Sequence, residues 1–315
     1  MFLSLGARTG GLAAAVVVAL CWVWCPSAAR SAEISDPVFT LLAVSDGGQG
    51  AFFVKLDEGV WDPESGTYTW SLAAPVELRD ESSWTLIATL LNADLMIGTA
   101  QLLEIHLNIG LVAGEAETAC VVASPLLSFG TVPATRAEGR ATASFTLTDV
   151  GGDGARLAGL GTPGTGAFRA YYNGYLADGV RFTHLVGFIY VNNGGTATTW
   201  QADPPFGYRA IGRELHDMSS EIAFSLTPGD LAFAVTTWAA PAPPDCFGDI
   251  SGDGLVDMTD VGILMSAYGT GSGEPGYVEA ADLDANGRVD MSDLAALLAV
   301  YGDDCWRAQT LAAGG

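Results

Sequence analysis

The sequence predicts two folded units of different class: an all-β sandwich or jelly-roll-like domain over most of the chain, then a small α domain near its C-terminal end. Three observations carry this expectation. Over about 210 residues, apolar and polar side chains alternate with the two-residue period of strands. Turn residues interrupt that alternation at intervals that suit stacked sheets. Further on the chain repeats itself: Asp249-Ile-Ser-Gly-Asp-Gly-Leu-Val-Asp-Met-Thr-Asp260 returns 33 residues later as Asp282-Leu-Asp-Ala-Asn-Gly-Arg-Val-Asp-Met-Ser-Asp293.

Residues 1–29 read as a secretory signal, with Arg8 in the basic region, an apolar run from Leu12 to Trp24, and Pro26-Ser-Ala-Ala29 before the cut. Cleavage is expected after Ala29. The apolar run is shorter than the roughly 20 residues that span a bilayer, and no comparable run follows. The expectation is therefore export, with no stable membrane span after signal cleavage, to a secreted, extracellular or cell-surface-associated location. Leu20 and Trp24 stand before Cys21 and Cys25 where a lipoprotein signal would carry a small residue.

Residues 30–240 are expected to form one β-sandwich passenger domain. Strands are predicted at Phe39–Val44, Trp84–Leu90, Leu103–Ile109, Ala141–Thr148, Phe182–Val191 and Leu231–Thr237. Asp46-Gly-Gly, Pro63-Glu-Ser-Gly, Gly151-Gly-Asp-Gly154, Gly161-Thr-Pro-Gly164 and Asn192-Asn-Gly-Gly195 supply the turns. Asp149 to Gly154 would suit another calcium ion, but a hairpin turn is the simpler expectation. Pro-rich residues 241–244 read as a linker.

The passenger region also resembles secreted bacterial β-rich surface proteins of unassigned function. The shared stretches are Trp70-Ser-Leu72, Ser144 to Gly154 and Arg169 to Gly174. Some of those proteins carry a surface-sorting signal where this chain carries its repeat. The resemblance brings no catalytic residues.

Two functional readings of the passenger stay open. In one it binds or has a structural role: Tyr171, Tyr172, Tyr175, Trp200 and Tyr208 lie near Gly-rich segments, where flat rings stack on sugars, such as those of a polysaccharide, on a protein, or in the core. In the other it is a glycoside hydrolase acting in polysaccharide breakdown, which needs two carboxylates roughly 5–10 Å apart. Glu104, Glu214 and Glu221 are available, with no pairing fixed by sequence. His106, His184 and His216 are too dispersed for a triad or a zinc site. No catalytic residue is assigned.

In the repeat, oxygen-bearing side chains occupy loop positions 1, 3, 5, 9 and 12, with glycine at position 6 and a carbonyl at position 7, the ligand rhythm of a calcium loop. Hard cations take several oxygens, and the sixth residue must turn sharply, hence Gly254 and Gly287. Asp, Asn and Gly are also ordinary turn residues, yet a chance turn would not repeat every ligand position, the apolar Val256 and Val289, and a following helix. Val261–Tyr268 and Leu294–Tyr301 are predicted as those helices, closed by Gly269 and Gly302. No helix pattern precedes either loop, so half of an ordinary helix-loop-helix hand is missing.

A duplicated loop-plus-one-helix unit with Asp at position 12 resembles a type I dockerin, the module that binds cohesin domains, over residues 245–306. The resemblance implies two Ca²⁺ ions. The side chains of Asp249, Ser251, Asp253, Asp257 and Asp260 and the carbonyl of Leu255 would hold one. Asp282, Asp284, Asn286, Asp290 and Asp293 with the carbonyl of Arg288 would hold the other. It also places Met258-Thr259 and Met291-Ser292 against a cohesin-like partner, in either of two orientations. A calcium module serving only as a stability clamp would have no such partner. Residues 307–315 read as a disordered tail.

Charge supports a separate module. Of 36 acidic residues in the chain, thirteen fall in 245–304 against the single base Arg288, and the net charge is −23. With no basic stripe, a nucleic-acid partner is not expected. Cys246 and Cys305 bracket the repeat, and a disulfide between them in an oxidising compartment would contribute about 3–4 kcal/mol. Cys120 reads as a small buried hydrophobe, a nucleophile being the lesser alternative.

Overall fold

A computed structural model describes residues 32–100, 102–162, 164–242 and 246–305. The expected signal, the end of the expected linker and the tail lie outside the described residues. The strands are β1 (Glu33–Ile34), β2 (Phe39–Ser45), β3 (Gly48–Val54), β4 (Val60–Asp62), β5 (Thr67–Ser71), β6 (Val76–Arg79) and β7 (Leu86–Gly98). They continue as β8 (Leu102–Ala113), β9 (Thr118–Ala123), β10 (Leu127–Val132), β11 (Glu138–Thr148), β12 (Ala155–Gly159) and β13 (Phe168–Tyr172). Last come β14 (Val180–Leu185), β15 (Phe188–Val191), β16 (Thr196–Asp203), β17 (Arg209–Ala210), β18 (Leu215–Leu226) and β19 (Leu231–Pro241). Two helices follow, α1 (Met258–Ala267) and α2 (Met291–Ala299).

The strands form two antiparallel sheets. In the first the order is β1-β10-β18-β9-β2-β3, with the β12/β15 and β13/β14 pairs attached through β18. The second runs β16-β11-β19-β8-β7-β5-β4, with β17 on β11 and β6 on β7. Alternation explains the packing. Along β11, Ala141, Ala143, Phe145 and Leu147 enter the core, while Thr142, Ser144, Thr146 and Thr148 face outward. Outward threonines pair across to β16, Thr146 with Thr198 at 2.9 Å and Thr148 with Thr196 at 3.0 Å.

Aromatic rings join the sheets. Phe145 of β11 meets Phe224 of β18 edge-on at 6.2 Å, and Phe39 of β2 lies 5.4 Å from Trp70 of β5. Trp238 of β19 is fully buried, stacks on Phe182 at 4.4 Å and donates its Nε1–H to the Tyr171 carbonyl at 2.9 Å. Trp238→Ala would leave a cavity and remove the hydrogen bond to the Tyr171 carbonyl. The expected cost is about 3–5 kcal/mol, read as a lower urea midpoint for the sandwich.

All six expected strands are present, with different limits. The expected strand beginning at Trp84 begins at Leu86, because Trp84 has φ 59° and belongs to the preceding turn. It then runs on to Gly98 through a bulge between Leu90 and Asn92. The expected strand Phe182–Val191 is two strands, broken where Val186 adopts φ 58°. Asp149–Gly154 is not the hairpin turn expected: β11 belongs to the second sheet and β12 to the first, so the turn crosses between sheets. The Asn192–Gly195 turn crosses back. Asp149 ties the two together, its Oδ1 accepting from Gly152 at 2.7 Å and its Oδ2 from Gly154 at 2.9 Å and Gly194 at 2.7 Å.

The C-terminal module has its own small core of Ile250, Val256, Leu264, Ala267, Ala281, Val289 and Leu297. Both helices begin three residues earlier than predicted, because positions 10 to 12 of each loop already form the first helical turn. A one-turn 3-10 helix, Glu279–Ala281, precedes the second loop. The module touches the sandwich where Gly130 of β10 meets Gly252; a Cβ at Gly130 would lie 2.5 Å from the Gly252 carbonyl oxygen. Arg136 and Asp304 add a half-exposed ion pair at 3.1 Å. No helix among the described residues is long and apolar enough to cross a membrane.

Candidate metal centre

Each loop runs directly into the helix that fixes its last candidate ligands. Asp257 and Asp290, at position 9, are the N-caps of α1 and α2, and Asp260 and Asp293, at position 12, complete a capping box with them. The Asp257 carboxylate accepts from Thr259 N–H at 2.7 Å, and Asp290 does the same from Ser292 at 2.8 Å. Asp260 accepts from Ser251 and Asp257 N–H, both at 2.8 Å; Asp293 accepts from Asp284 at 3.2 Å and Asp290 at 2.7 Å. Asp260 and Asp293 are fully buried. Helix capping and loop closure thus use the same carboxylates.

Position 1 organises the rest of each loop. Asp249 accepts backbone N–H groups from Gly252, Asp253 and Gly254, and Asp282 accepts them from Asn286 and Gly287. Gly254 at φ 81° and Gly287 at φ 87° make the left-handed turn that position 6 requires. Asp253 at position 5 receives the Leu255 N–H at 2.9 Å, and Asn286 receives that of Arg288 at the same distance. In the second loop, carboxylate oxygens of Asp282, Asp284 and Asp293 lie within 4.8 Å of one another.

The two halves interlock. Position 8 of the first loop, Val256, exchanges backbone hydrogen bonds with the segment after α2: its N–H donates to the Asp303 carbonyl at 3.0 Å, and Gly302 N–H donates to its carbonyl at 2.8 Å. Val289 of the second loop does the same with the segment after α1, through Thr270 at 2.9 Å and Gly269 at 2.8 Å. Each loop is therefore stabilised by the opposite half, a pseudo-two-fold arrangement. Cys246 and Cys305 are joined, with Cα atoms 5.9 Å apart across 59 residues of sequence. That closure stabilises the module by about 4 kcal/mol through the unfolded chain.

Electrostatics distinguish the loops. Burial pushes Asp249 up to about 6, and the Asp260 and Asp253 carboxylates add to the shift. Burial, together with Asp257 and Asp260, also raises Asp253. For Asp282, burial is outweighed by the Tyr277 hydroxyl, which donates at 2.7 Å, and by the Gly287 and Asn286 N–H groups, so its carboxyl is held below the ordinary range. Five residues ahead of Asp249 the chain has Pro244, which offers no such donor. The donor types in each loop, carboxylates, one amide or hydroxyl, and a carbonyl, suit a hard cation.

Met258, Thr259, Met291 and Ser292 are all exposed, the methionines at 67% and 63%. The exposed stripe continues along each helix, through Gly262 and Met265 on α1 and Ala295 and Leu298 on α2. Met265 and Leu298 were not singled out in the sequence. Their spacing of seven from the two methionines is the signal that would have found them.

The structure does not bring the passenger candidates together. Glu104 lies on the outer face of the second sheet, whereas Glu221 lies on the outer face of the first, paired with Arg169 at 2.6 Å. Glu214 stands in the turn before β18. His106 contacts Thr237 at 3.1 Å, His184 accepts from Gly166 N–H at 3.0 Å, and His216 contacts Asp217 at 2.8 Å, three separate places. Tyr171 and Tyr172 are buried, Tyr175 is half-buried, and Trp200 and Tyr208 are exposed. Cys120 is a buried free thiol pushed up to about 12 by burial, which makes it a poor nucleophile. Asp149, Asp153 and Asp230 also converge, where the turns that cross between the two sheets meet.

No curated protein sequence matches the chain. Solved structures with some likeness include the adhesin domain of Epf from Streptococcus pyogenes, 10% identical over 67% of this chain, with a TM-score of 0.26. This chain spans 62% of that adhesin domain. The family 11 carbohydrate-binding module from Clostridium thermocellum, in complex with a β-1,3-1,4-mixed-linked tetrasaccharide, is 11% identical over 58% of this chain and 94% of its own, with a TM-score of 0.19. The D431N mutant VP2 protein of infectious bursal disease virus is 8% identical over 67% and 72%, with a TM-score of 0.20. At these TM-scores none of the three assigns a fold or a function. The sequence of the C-terminal module, in contrast, matches the dockerin type I domain over residues 247–299.

Proposed function

We propose that the C-terminal module binds two calcium ions, folds around them, and attaches the β-sandwich to a cohesin-type domain in an extracellular or cell-surface assembly. The observation that carries this reading is the duplicated loop, in which metal-type oxygens and a helix capping box are the same residues. Asp249, Ser251, Asp253, Asp257, Asp260 and the Leu255 carbonyl hold one ion; Asp282, Asp284, Asn286, Asp290, Asp293 and the Arg288 carbonyl hold the other. Calcium supplies the charge that lets these carboxylates lie together. The sandwich acts as a binding unit; Glu104 and Glu221, on opposite outer faces, do not form the close carboxylate pair that a glycoside hydrolase needs. The test is capture of the full chain by an immobilised type I cohesin with calcium and with chelator. Retention that requires calcium supports the reading, and equal recovery in both buffers contradicts it.

The two loops are expected to release calcium at different pH. Asp249 has a raised folded pKa, so the metal-free first loop binds more protons than the unfolded chain and loses stability as pH rises from about 4 to about 6. With calcium the sign reverses, since the ion needs the ionised carboxylate. Below about 6 the affinity of the first loop should fall roughly tenfold per pH unit, while Asp282 keeps the second loop loaded. Calorimetric titrations at several pH values check this; simultaneous weakening of both sites would contradict it.

A further inference from the structure

At the pole of the sandwich where β7 starts, β8 ends and β19 starts lies an open, shallow cleft of about 730 Å³. Leu86, Ala113 and Pro228 contribute apolar lining, and Trp84, Arg79 and Glu115 line it as well. That size, with mostly apolar lining and a few polar groups, is usual for ligand sites. β19 runs from this pole to the end at which the calcium module follows, a span of roughly 35 Å for its length.

Trp84 is the unusual residue here. It is 72% exposed and has φ 59°, a left-handed conformation that costs a bulky side chain about 1–3 kcal/mol. A cage of hydrogen bonds enforces it. Asp80 Oδ1 accepts the N–H groups of Ser82 at 3.0 Å and Ser83 at 2.8 Å, together with both hydroxyls. Trp84 N–H donates to the Asp80 carbonyl at 2.9 Å, and Arg79 Nη1 donates to the Trp84 carbonyl at 3.0 Å. Asparagine or glycine would satisfy this turn without strain. The turn instead holds an indole out in solvent beside a cleft, where folding gains little from it.

We propose that this cleft binds a neutral polysaccharide chain, with one sugar ring stacked on Trp84 and its hydroxyls hydrogen-bonded by Arg79 and Glu115. A pyranose offers an apolar C–H face to an indole and paired hydroxyls to planar donors and acceptors. Arg79 uses three N–H groups on Glu77 and Trp84, leaving others for a ligand. The chain's net charge of −23 disfavours an anionic polymer. This assignment rests on the reading of the sandwich as a binding unit and is independent of the calcium module.

The test is native electrophoresis of the full chain through gels containing hydroxyethylcellulose, galactomannan or arabinoxylan, with reducing ends assayed in parallel. At least one polymer should retard the wild type. Trp84→Asn should weaken that retardation about tenfold or more while melting at the same or a higher temperature, since strain is relieved. Trp61→Ala, which removes an exposed indole beside the far end of β7, should leave retardation unchanged. No retardation by any of the three polymers, or equal retardation of Trp84→Asn, overturns the assignment. Release of reducing ends overturns the binding-unit reading itself.

Discussion

Chelating calcium from the full chain is expected to unfold the C-terminal module and leave the β-sandwich intact. Each loop concentrates four aspartates, and Arg288 is the only base between residues 245 and 304. Without a cation the buried Asp260 and Asp293 keep their backbone donors, but the neighbouring carboxylates repel. The core they must hold together is small, eight buried side chains with nine partly buried ones packed against them, so ion binding is expected to supply much of the folding free energy. Chelator should therefore abolish the helical circular dichroism of α1 and α2 and remove one thermal transition. Asp260→Ala with Asp293→Ala should do the same in calcium buffer, because each substitution removes a proposed ligand and half of a capping box. A sandwich transition that moves by more than a few degrees on chelation would show the two units to be one cooperative body instead.

The second large effect concerns docking. Met258-Thr259 and Met291-Ser292 occupy equivalent, exposed positions on pseudo-symmetric halves. Either pair should suffice for a cohesin-type partner, in opposite orientations. Replacing one pair by aspartates is expected to change affinity by less than about threefold, whereas replacing both should cost about a hundredfold or more. Surface plasmon resonance against an immobilised type I cohesin checks both. If the module were only a stability clamp, the wild type would show no saturable binding and the fourfold variant no change.

Much of this was readable in the sequence, for physical reasons that differ by element. β11 alternates cleanly because one of its faces is core and the other solvent. The calcium loops were readable because metal geometry fixes residue type position by position. β18 was not, although it is the hub of the first sheet. Its Asp217, Ser219 and Ser220 interrupt the apolar pattern, yet all three are buried. Asp217 and Ser219 accept the N–H groups of Gly174 and Leu176 from a loop that crosses the strand, and Ser220 donates its N–H to Ser124. A strand's period cannot register a face covered by a distant loop. The helix starts were misplaced for a related reason: Asp257 and Asp290 read as loop ligands, and nothing in spacing alone says that they are also N-caps. Trp84 looked like the first residue of an alternating strand. Its left-handed backbone depends on Asp80 and Arg79, which only the folded turn brings to it.

The most direct test of the central claim is calorimetric titration of the full chain with calcium at neutral pH, followed in parallel by circular dichroism. Two ions bound per chain, with helical signal rising as they bind, is the predicted result. Absence of binding, or binding that leaves the spectrum unchanged, would contradict the account of the C-terminal module as a calcium-folded docking unit.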